Sequence, residues 1–225
     1  MEYGDNKSLD YMLQRSGLPK AKWKDIPLKC EKVDLEAFED LQYIKDNIQE
    51  QFFTYHYSDD NKYRFIDDNN LLICGDSLGC GKTTWSIKIF KQFLEEQIPR
   101  FEGVDAKSLD KTFNIGIFVP TTKFLVDMKQ FGSNKQAQEL YERLQTAEMV
   151  VWDDLAAVNM SKYDYNILYA LIDYRILSEK ANIFTTNAIS EEALGKETGE
   201  RLAQRIWRTS TIIELKGEGK RGRIL

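Results

Sequence analysis

The residues best suited to chemistry lie in a glycine-rich stretch between an apolar run and a helical one, Gly75-Asp76-Ser77-Leu78-Gly79-Cys80-Gly81-Lys82-Thr83-Thr84. Glycines let successive backbone N–H groups point inward around a phosphate, and the N-terminus of the following helix adds its positive end. A lysine closing such a loop reaches the β- and γ-phosphates, and the hydroxyl beside it coordinates Mg²⁺. The sequence therefore predicts a site for ATP and Mg²⁺. Its nucleotide-binding residues would be Gly79, Cys80, Gly81, Lys82, Thr83 and Thr84, with Thr83 also a metal ligand.

The spacing of this loop departs from the usual one by a single residue. Four residues normally separate the first glycine from the closing Gly-Lys pair, whereas Gly75 and Gly81 enclose five. We interpret the extra residue as an insertion in the outer part of the loop, because Gly79 and Gly81 keep the inner part. The alternative is a chance glycine-rich turn, and the polar strand ends described next argue against it.

A second apolar run, Met149-Val150-Val151-Trp152-Asp153-Asp154, ends in two carboxylates. Asp153 would hold Mg²⁺ through water, and Asp154 would orient or deprotonate the water that attacks the γ-phosphate. Many related ATPases carry glutamate at the second position, and aspartate is one methylene shorter, so we expect slow turnover. The alternative is that both acids cap the segment that follows.

Polar residues later in the chain complete the predicted site. Asn187 ends another apolar run, and its amide can donate to phosphate and accept from water, which suits a sensor of the γ-phosphate. Arg201, Arg205 and Arg208 share one face of a predicted helix. A guanidinium aimed at the γ-phosphate of a neighbouring subunit would stabilise transition-state charge; Arg205 is the preferred finger and Arg201 the alternative. The simpler readings are a turn-forming asparagine and a solvated basic face.

The composition is that of one globular domain with a short appendage. The chain has 225 residues, of which 42% are hydrophobic and 12% aromatic, and a formal net charge of −5. This charge mildly repels nucleic acid, so any such contact must come from local patches or from assembly. No apolar run approaches the ~20 residues of a membrane span, and the acidic N-terminus does not resemble a signal peptide, so a cytoplasmic protein is the expectation. Three scattered cysteines and a single histidine make a zinc site improbable.

The order of apolar and helical stretches predicts a mainly parallel sheet covered by helices on both faces. The predicted strands are 71–75, 114–119, 149–153, 181–186 and 211–215. The predicted helices between them are 82–97, 121–130, 136–146, 163–178 and 191–207. Upstream, residues 34–56 read as one amphipathic helix with Asp34 as N-cap, and residues 59–70 as a polar loop.

Loop, acidic strand end, sensor and arginines follow one another as in an AAA+ ATPase. More narrowly, roughly residues 11–225 resemble the DnaC/DnaI-type helicase loaders and the related IstB transposition helpers. Supporting pieces are Arg15-Ser16-Gly17-Leu18-Pro19, Asp153-Asp154-Leu155-Ala156-Ala157, Tyr174-Arg175, Phe184-Thr185-Thr186-Asn187 and Glu200-Arg201-Leu202-Ala203-Gln204-Arg205.

That resemblance implies a three-layer sandwich with a five-strand parallel sheet of order 5-1-4-3-2. It also implies no C-terminal helical lid domain, and the chain stops about ten residues after the fifth predicted strand. Arg201 or Arg205 would act in trans within an oligomer that handles a replicative hexameric helicase and single-stranded DNA. Lys220, Arg221 and Arg223 lie where a second nucleotide-sensing arginine would fall. The inserted residue in the glycine-rich loop favours a phage or mobile-element origin.

The resemblance divides the chain into an N-terminal arm, residues 1–33, and an AAA+ ATPase domain, residues 34–225. Lys22, Trp23 and Lys24 in the arm could contact the helicase; a solvated basic loop anchored by one aromatic residue is the alternative. Candidates for DNA contact are Lys123, Lys129, Lys135, Phe124 and Phe131, unless Phe124 packs in the core and the lysines are simply solvated.

Two other functions fit the same residues. The first is a transposition or defence accessory ATPase that assembles on duplex DNA. The second is a nucleotide-dependent adaptor that binds ATP and hydrolyses little of it.

Overall fold

The computed structural model of the protein describes residues 5–22, 24, 27–53, 55–57, 63–65, 69–101, 114–155 and 160–218. Several residues singled out in the sequence lie outside these ranges, namely Trp23, Ala156, Ala157, Lys220, Arg221 and Arg223. No helix of the described ranges is both long enough and apolar enough to cross a membrane.

Five parallel strands form the central sheet. They are β3 (Asn70–Cys74), β4 (Gly116–Pro120), β5 (Met149–Asp153), β6 (Ala181–Thr186) and β7 (Ser210–Glu214). The strand order is β4-β5-β6-β3-β7, which is the predicted order 5-1-4-3-2 read from the opposite edge. The central strands β3, β5 and β6 are buried along their whole length, as continuous apolar runs in a covered parallel sheet should be. The predicted fold class is therefore confirmed.

Helices cover both faces of this sheet and give three layers. One core holds side chains from α1 (Asp5–Arg15), α2 (Leu35–Asp46), α3 (Ile48–Phe53) and α4 (Lys82–Gln97). The opposite core holds those of α5 (Thr121–Met128), α6 (Lys135–Thr146), α7 (Lys162–Leu177), α8 (Glu191–Thr198) and α9 (Glu200–Arg208). Side chains alternate along each strand, so Leu71 and Ile73 enter the first core and Leu72 the second.

Two predicted helices are each divided into two. The helix predicted over 34–56 breaks at Asn47, which leaves the helical conformation at φ −129° and donates its amide to the Tyr43 carbonyl. The helix predicted over 191–207 breaks at Gly199, whose φ of 88° favours glycine and whose Cα faces the Tyr165 ring too closely for any side chain. The polar loop predicted over 59–70 also contains a strand, because β1 (Tyr55–Tyr57) and β2 (Tyr63–Phe65) pair antiparallel.

Asp34 lies at the predicted N-cap position of α2, but its side chain does not cap the helix. It precedes Leu35 but makes no side-chain capping bond. Its buried carboxylate instead accepts hydrogen bonds from the backbone N–H groups of Lys216 (2.6 Å) and Gly217 (2.9 Å). A carboxylate that finds two backbone donors across the chain is better satisfied than one capping a helix start, so tertiary structure overrides the local signal. The bond ties the start of α2 to the segment after β7.

The N-terminal segment packs as part of the main body. Met12, Leu13 and Leu18 are buried in the same core as α4, and the backbone N–H of Phe118 on β4 donates to the Ser16 carbonyl at 2.7 Å. The segment therefore covers the edge strand β4. A domain boundary between residues 33 and 34 stays a prediction, and the packing runs across it.

One buried guanidinium joins the N-terminal ends of the strands. Arg175 on α7 is fully buried, and its Nε donates to the Asn182 side chain at 2.7 Å. Its two Nη groups donate to the carbonyls of Leu144, Ala147 and Ala181 at 2.6–2.9 Å. Burial lowers the pKa of Arg175 to about 9. These acceptors are neutral, so the charge of Arg175 is stabilised by hydrogen bonds to carbonyl groups and not by an ion pair.

We expect Arg175→Met to destabilise the fold by about 2–4 kcal/mol, because it removes a donor from the carbonyls of Leu144, Ala147 and Ala181. Urea unfolding followed by circular dichroism measures this change. Arg208→Met, at an exposed position on α9, is the matched control and should stay within about 0.5 kcal/mol of wild type. Equal midpoints for the two variants would contradict the role given to Arg175.

Candidate nucleotide-binding site

The glycine-rich loop connects β3 directly to α4 and presents free backbone donors. Gly79 and Gly81 adopt positive φ angles of 85° and 114°, which favour glycine. Helix α4 begins at Lys82 with no side chain capping its N-terminus, so its first N–H groups have no partner within the helix. Such a terminus suits an anion. The loop therefore fits the phosphates of a nucleotide on the geometry of its own backbone.

The lysine of this loop is already held in place. The Lys82 ammonium donates to the carbonyls of Gly75 (2.6 Å) and Ser77 (3.0 Å) and lies 3.4 Å from the Cys80 sulfur. The residue is buried. When a nucleotide binds, the Lys82 ammonium would leave these neutral carbonyl acceptors for phosphate oxygens, which are stronger acceptors because they are charged.

Segments from both ends of the described chain brace the loop. A Cβ at Gly75 would lie 2.3 Å from the Leu215 carbonyl oxygen, and the Leu215 N–H donates to the Cys74 carbonyl at 2.8 Å. Leu28 approaches Gly81 from the N-terminal side. The outer part of the loop, with Asp76 and Leu78, is exposed.

The predicted metal ligands converge at the C-terminal edge of the sheet. The Thr83 hydroxyl donates to Asp153 Oδ1 at 2.7 Å, and the Thr185 hydroxyl donates to the same oxygen at 2.9 Å. A hydroxyl and a carboxylate oxygen side by side form a donor set that suits Mg²⁺. The residues therefore fit the metal, with Thr83 and Asp153 as the groups that would hold it.

Asp154 sits in an unusual backbone conformation with φ 60°, which non-glycine residues rarely adopt and which often marks a functional site. Its N–H donates to the Thr185 hydroxyl at 2.8 Å. Partial desolvation of the Asp154 carboxyl, and then the nearby Asp153 charge, raise the pKa of Asp154, while Lys82 opposes the rise. The side chain is exposed at the mouth of the site, where a water could reach it.

Thr185 is a residue to which the sequence assigned no role. It bridges Asp153 through its hydroxyl and fixes the turn at Asp154 and Leu155, whose N–H donates to the Thr185 carbonyl at 2.8 Å. The only signal in the sequence was a hydroxyl at the end of an apolar strand. Its partner strand could not be identified without the sheet order.

Asn187 lies immediately after β6, one residue beyond the registered pair Cys74 and Thr186. The structure therefore brings Asn187 next to the start of the glycine-rich loop. On α9, Arg205 Nε lies 2.8 Å from Asp173 Oδ1 on α7. Arg201 is exposed and has no polar partner within the described ranges. The preferred finger is thus engaged within its own chain, and the alternative one is available.

A cation from the N-terminal segment also reaches the site. Lys22 Nζ lies 3.6 Å from Asp153 Oδ2 and 5.2 Å from the centre of the Phe118 ring. The sequence grouped Lys22 with Trp23 and Lys24 as a basic loop. Only the packing of residues 16–22 along β4 brings this lysine to Asp153.

The candidates for DNA contact divide into two groups. Phe124 is buried in the core with an edge-to-face contact to Trp152 at 5.7 Å, so it cannot stack on a base. Phe131 is partly buried against Tyr141. The lysines are exposed, and two of them pair along their own helices, Lys123 with Asp127 and Lys135 with Glu139.

The strand order, the loop between β3 and α4, and the acidic end of β5 define a P-loop nucleotide-binding fold of the AAA+ type. No family model matches the chain, and no curated protein matches it by sequence. Solved structures do match.

The DnaC helicase loader superposes with a TM-score of 0.63 at 17% identity, covering 88% of this chain and 100% of that one. DnaI gives 0.58 at 15% identity, covering 92% and 94%. The replication initiator DnaA bound to AMPPCP and single-stranded DNA gives 0.55 at 15% identity, covering 83% of this chain and 47% of that one. At such identities the likeness establishes the fold, which this chain shares with AAA+ loaders and initiators.

We expect Gly75→Ala to destabilise the protein by about 1–3 kcal/mol and to weaken ATP binding, because the added methyl group meets a backbone oxygen that cannot move alone. Gly132→Ala is the control, since a Cβ there meets nothing within 4 Å. Urea unfolding and nucleotide titration measure the two effects. If both glycine variants behave alike, the C-terminal segment does not brace the loop.

Proposed function

We propose that this protein is an ATP-dependent loader or remodeller of a replicative helicase on single-stranded DNA, and that it acts as an oligomer. The observation that carries the ATPase part is the meeting of Lys82, Thr83 and Asp153 at one edge of the sheet, with Thr83 and Asp153 joined at 2.7 Å. The loader part is supported by the fold shared with DnaC and DnaI. Cofactors of the proposed reaction are ATP and Mg²⁺.

The binding step follows from the loop. The N–H groups of the loop and of the first turn of α4 would bind the phosphates, and Lys82 would neutralise the charge on the β- and γ-phosphates. Thr83 would bind Mg²⁺ directly and Asp153 through water, with Thr185 keeping the Asp153 carboxylate in orientation. The metal, when bound, polarises the γ-phosphate.

The hydrolytic step requires a positioned water. Asp154 follows Asp153 at the end of β5, and its backbone is fixed by the hydrogen bond to Thr185. It would accept the proton of the attacking water or orient that water. Asn187 would contact the γ-phosphate from the neighbouring strand and report on whether it is present. A short acid in this position favours slow turnover.

Completion of the site would depend on a neighbouring subunit. Arg201 and Arg205 lie on α9, and one of them would reach the γ-phosphate of the adjacent protomer. Arg205 pairs with Asp173 in its own chain, and this contact either aims it outward or must break on assembly. The exposed Arg201 needs no such change. Substitution of Arg201 and of Arg205, one at a time, therefore distinguishes which of them acts as the finger.

Hydrolysis tests the proposal first. We expect the wild-type rate per molecule to rise with protein concentration and with single-stranded DNA. Lys82→Ala should lose ATP binding, whereas Asp154→Asn should bind ATP and lose hydrolysis by about 10²–10⁴-fold. Alanine at the true finger should lower the rate roughly 10³-fold and leave ATP binding intact. A phosphate-release assay and isothermal titration measure the two properties.

Arg208→Ala, on the same helix face, is the control for the two finger variants. A rate independent of concentration and DNA, with Arg201→Ala and Arg205→Ala both harmless, would refute the shared site. If Asp154→Asn also leaves every property of the protein unchanged, the protein is an adaptor that binds ATP without using its hydrolysis.

The partner separates the loader from a transposition helper. We expect the protein with ATP to form a stoichiometric complex with the hexameric replicative helicase of its host, measured by size-exclusion chromatography with light scattering. A transposition or defence ATPase would instead form ATP-dependent filaments on duplex DNA, visible by electron microscopy. Filaments without a helicase complex would reject the loader.

A further inference from the structure

Lys22 occupies a position at the metal site for which the proposed reaction has no use. It ends a short 3₁₀ turn, Lys20–Lys22, and its ammonium lies 3.6 Å from Asp153 Oδ2. The Lys22 side chain is 34% exposed and that of Asp153 is 11% exposed, so the pair is only partly screened by water. The Phe118 ring supports the cation from the other side at 5.2 Å.

The two oxygens of the Asp153 carboxylate have different partners. Oδ1 accepts the hydroxyls of Thr83 and Thr185, and Oδ2 faces Lys22. The ammonium therefore balances the charge of the carboxylate at the oxygen that the strand hydroxyls leave open. Asp154 is the other nearby acid, and its turn is fixed by its own bond to Thr185.

The position of Lys22 beside Asp153 is set by the backbone contacts of the residues before it. Ser16 is tied to Phe118 on β4, Leu18 is buried, and the Lys22 N–H donates to the Pro19 carbonyl at 2.7 Å. Beyond Lys22, Leu28 lies against Gly81 of the glycine-rich loop. Two described points of the same segment thus touch the predicted metal site and the predicted phosphate site.

A hydrated Mg²⁺ ion and this ammonium compete for the same carboxylate, because both are cations and like charges a few ångströms apart in a partly buried site are poorly screened. The geometry points to Lys22 as a resident counter-ion of Asp153 that Mg²⁺ displaces when it arrives with ATP. The segment around Lys22 is then held against the sheet without nucleotide and released with it. This inference rests on the proposed ATP site and adds a regulatory contact to it.

Linkage makes the coupling reciprocal. If Mg²⁺ displaces Lys22, a partner that binds the displaced Lys22 raises the affinity of the site for Mg²⁺. The factor is the same as that by which Mg²⁺ raises the affinity for the partner. The segment around Lys22 also carries Lys20 and Lys24, so we expect such a partner to present an acidic protein surface. Nucleotide loading and partner binding would thereby favour each other through a single ion pair.

The test measures how strongly Mg²⁺ enhances ATP binding, by titrating ATP calorimetrically with and without Mg²⁺. We expect Lys22→Gln to increase this enhancement about two- to five-fold over wild type, the range for a partly exposed ion pair. Lys24→Gln, an exposed lysine two residues on, should behave as wild type. Lys22→Arg keeps the positive charge and should do so too, which guards against a general effect of substitution at this position.

Hydrogen–deuterium exchange of residues 18–24 gives a second readout. Mg²⁺-ATP should raise exchange there in wild type, and Lys22→Gln should show raised exchange before nucleotide is added. An enhancement that is unchanged or reduced in Lys22→Gln, or protection of the segment by Mg²⁺-ATP, overturns the displacement. If wild type binds no ATP at any Mg²⁺ concentration, the proposed function falls together with it, whereas normal ATP binding indifferent to Lys22 overturns this inference alone.

Discussion

A guanidinium without a carboxylate fixes the end of the sheet opposite the site. Arg175 takes its acceptors from the end of α6 and from the start of β6, and the Asn182 amide donates onward to Asn70 on β3. Asn70 in turn donates to the Thr209 carbonyl just before β7. The strands are paired in register along their length, so contacts that align the starts of the strands also favour the alignment of their carboxyl ends. We therefore expect this buried charge to support the site although none of its atoms is near it.

Local patterns in the sequence were sufficient for the parts of the site that lie within single strand–loop–helix units. The glycine-rich loop and the Asp153-Asp154 pair follow buried strands, and carboxyl ends of parallel strands must meet at one edge. Thr185, Lys22 and Asp34 depend instead on which distant segments pack together. The Asp34 side chain does not cap α2 because the backbone N–H groups of Lys216 and Gly217 bind its carboxylate. The helix breaks at Asn47 and Gly199 reflect single residues within strongly periodic stretches.

The polar groups at this edge of the sheet are of two kinds, buried groups joined by hydrogen bonds and half-exposed cations joined to acids. Thr83, Asp153 and Thr185 hold one another by short hydrogen bonds among buried or half-buried atoms, and they form a rigid floor. Lys22 and Arg205 are longer, half-exposed cations, each paired with one acid. Their pairs are weak enough to exchange when a stronger charge arrives. Fixed ligands surrounded by cations that can change partners are the arrangement expected of a site whose bound nucleotide controls contacts with other molecules.

The bracing of the glycine-rich loop by Leu215 has a consequence for how the protein is made. During synthesis β3 and its loop leave the ribosome long before β7, yet β7 is the neighbour of β3 in the sheet and Leu215 bonds to Cys74. Until residues 210–217 have emerged, β3 has one exposed edge and the loop has no support from that side. We therefore expect the competence to bind nucleotide to appear only once translation has passed β7.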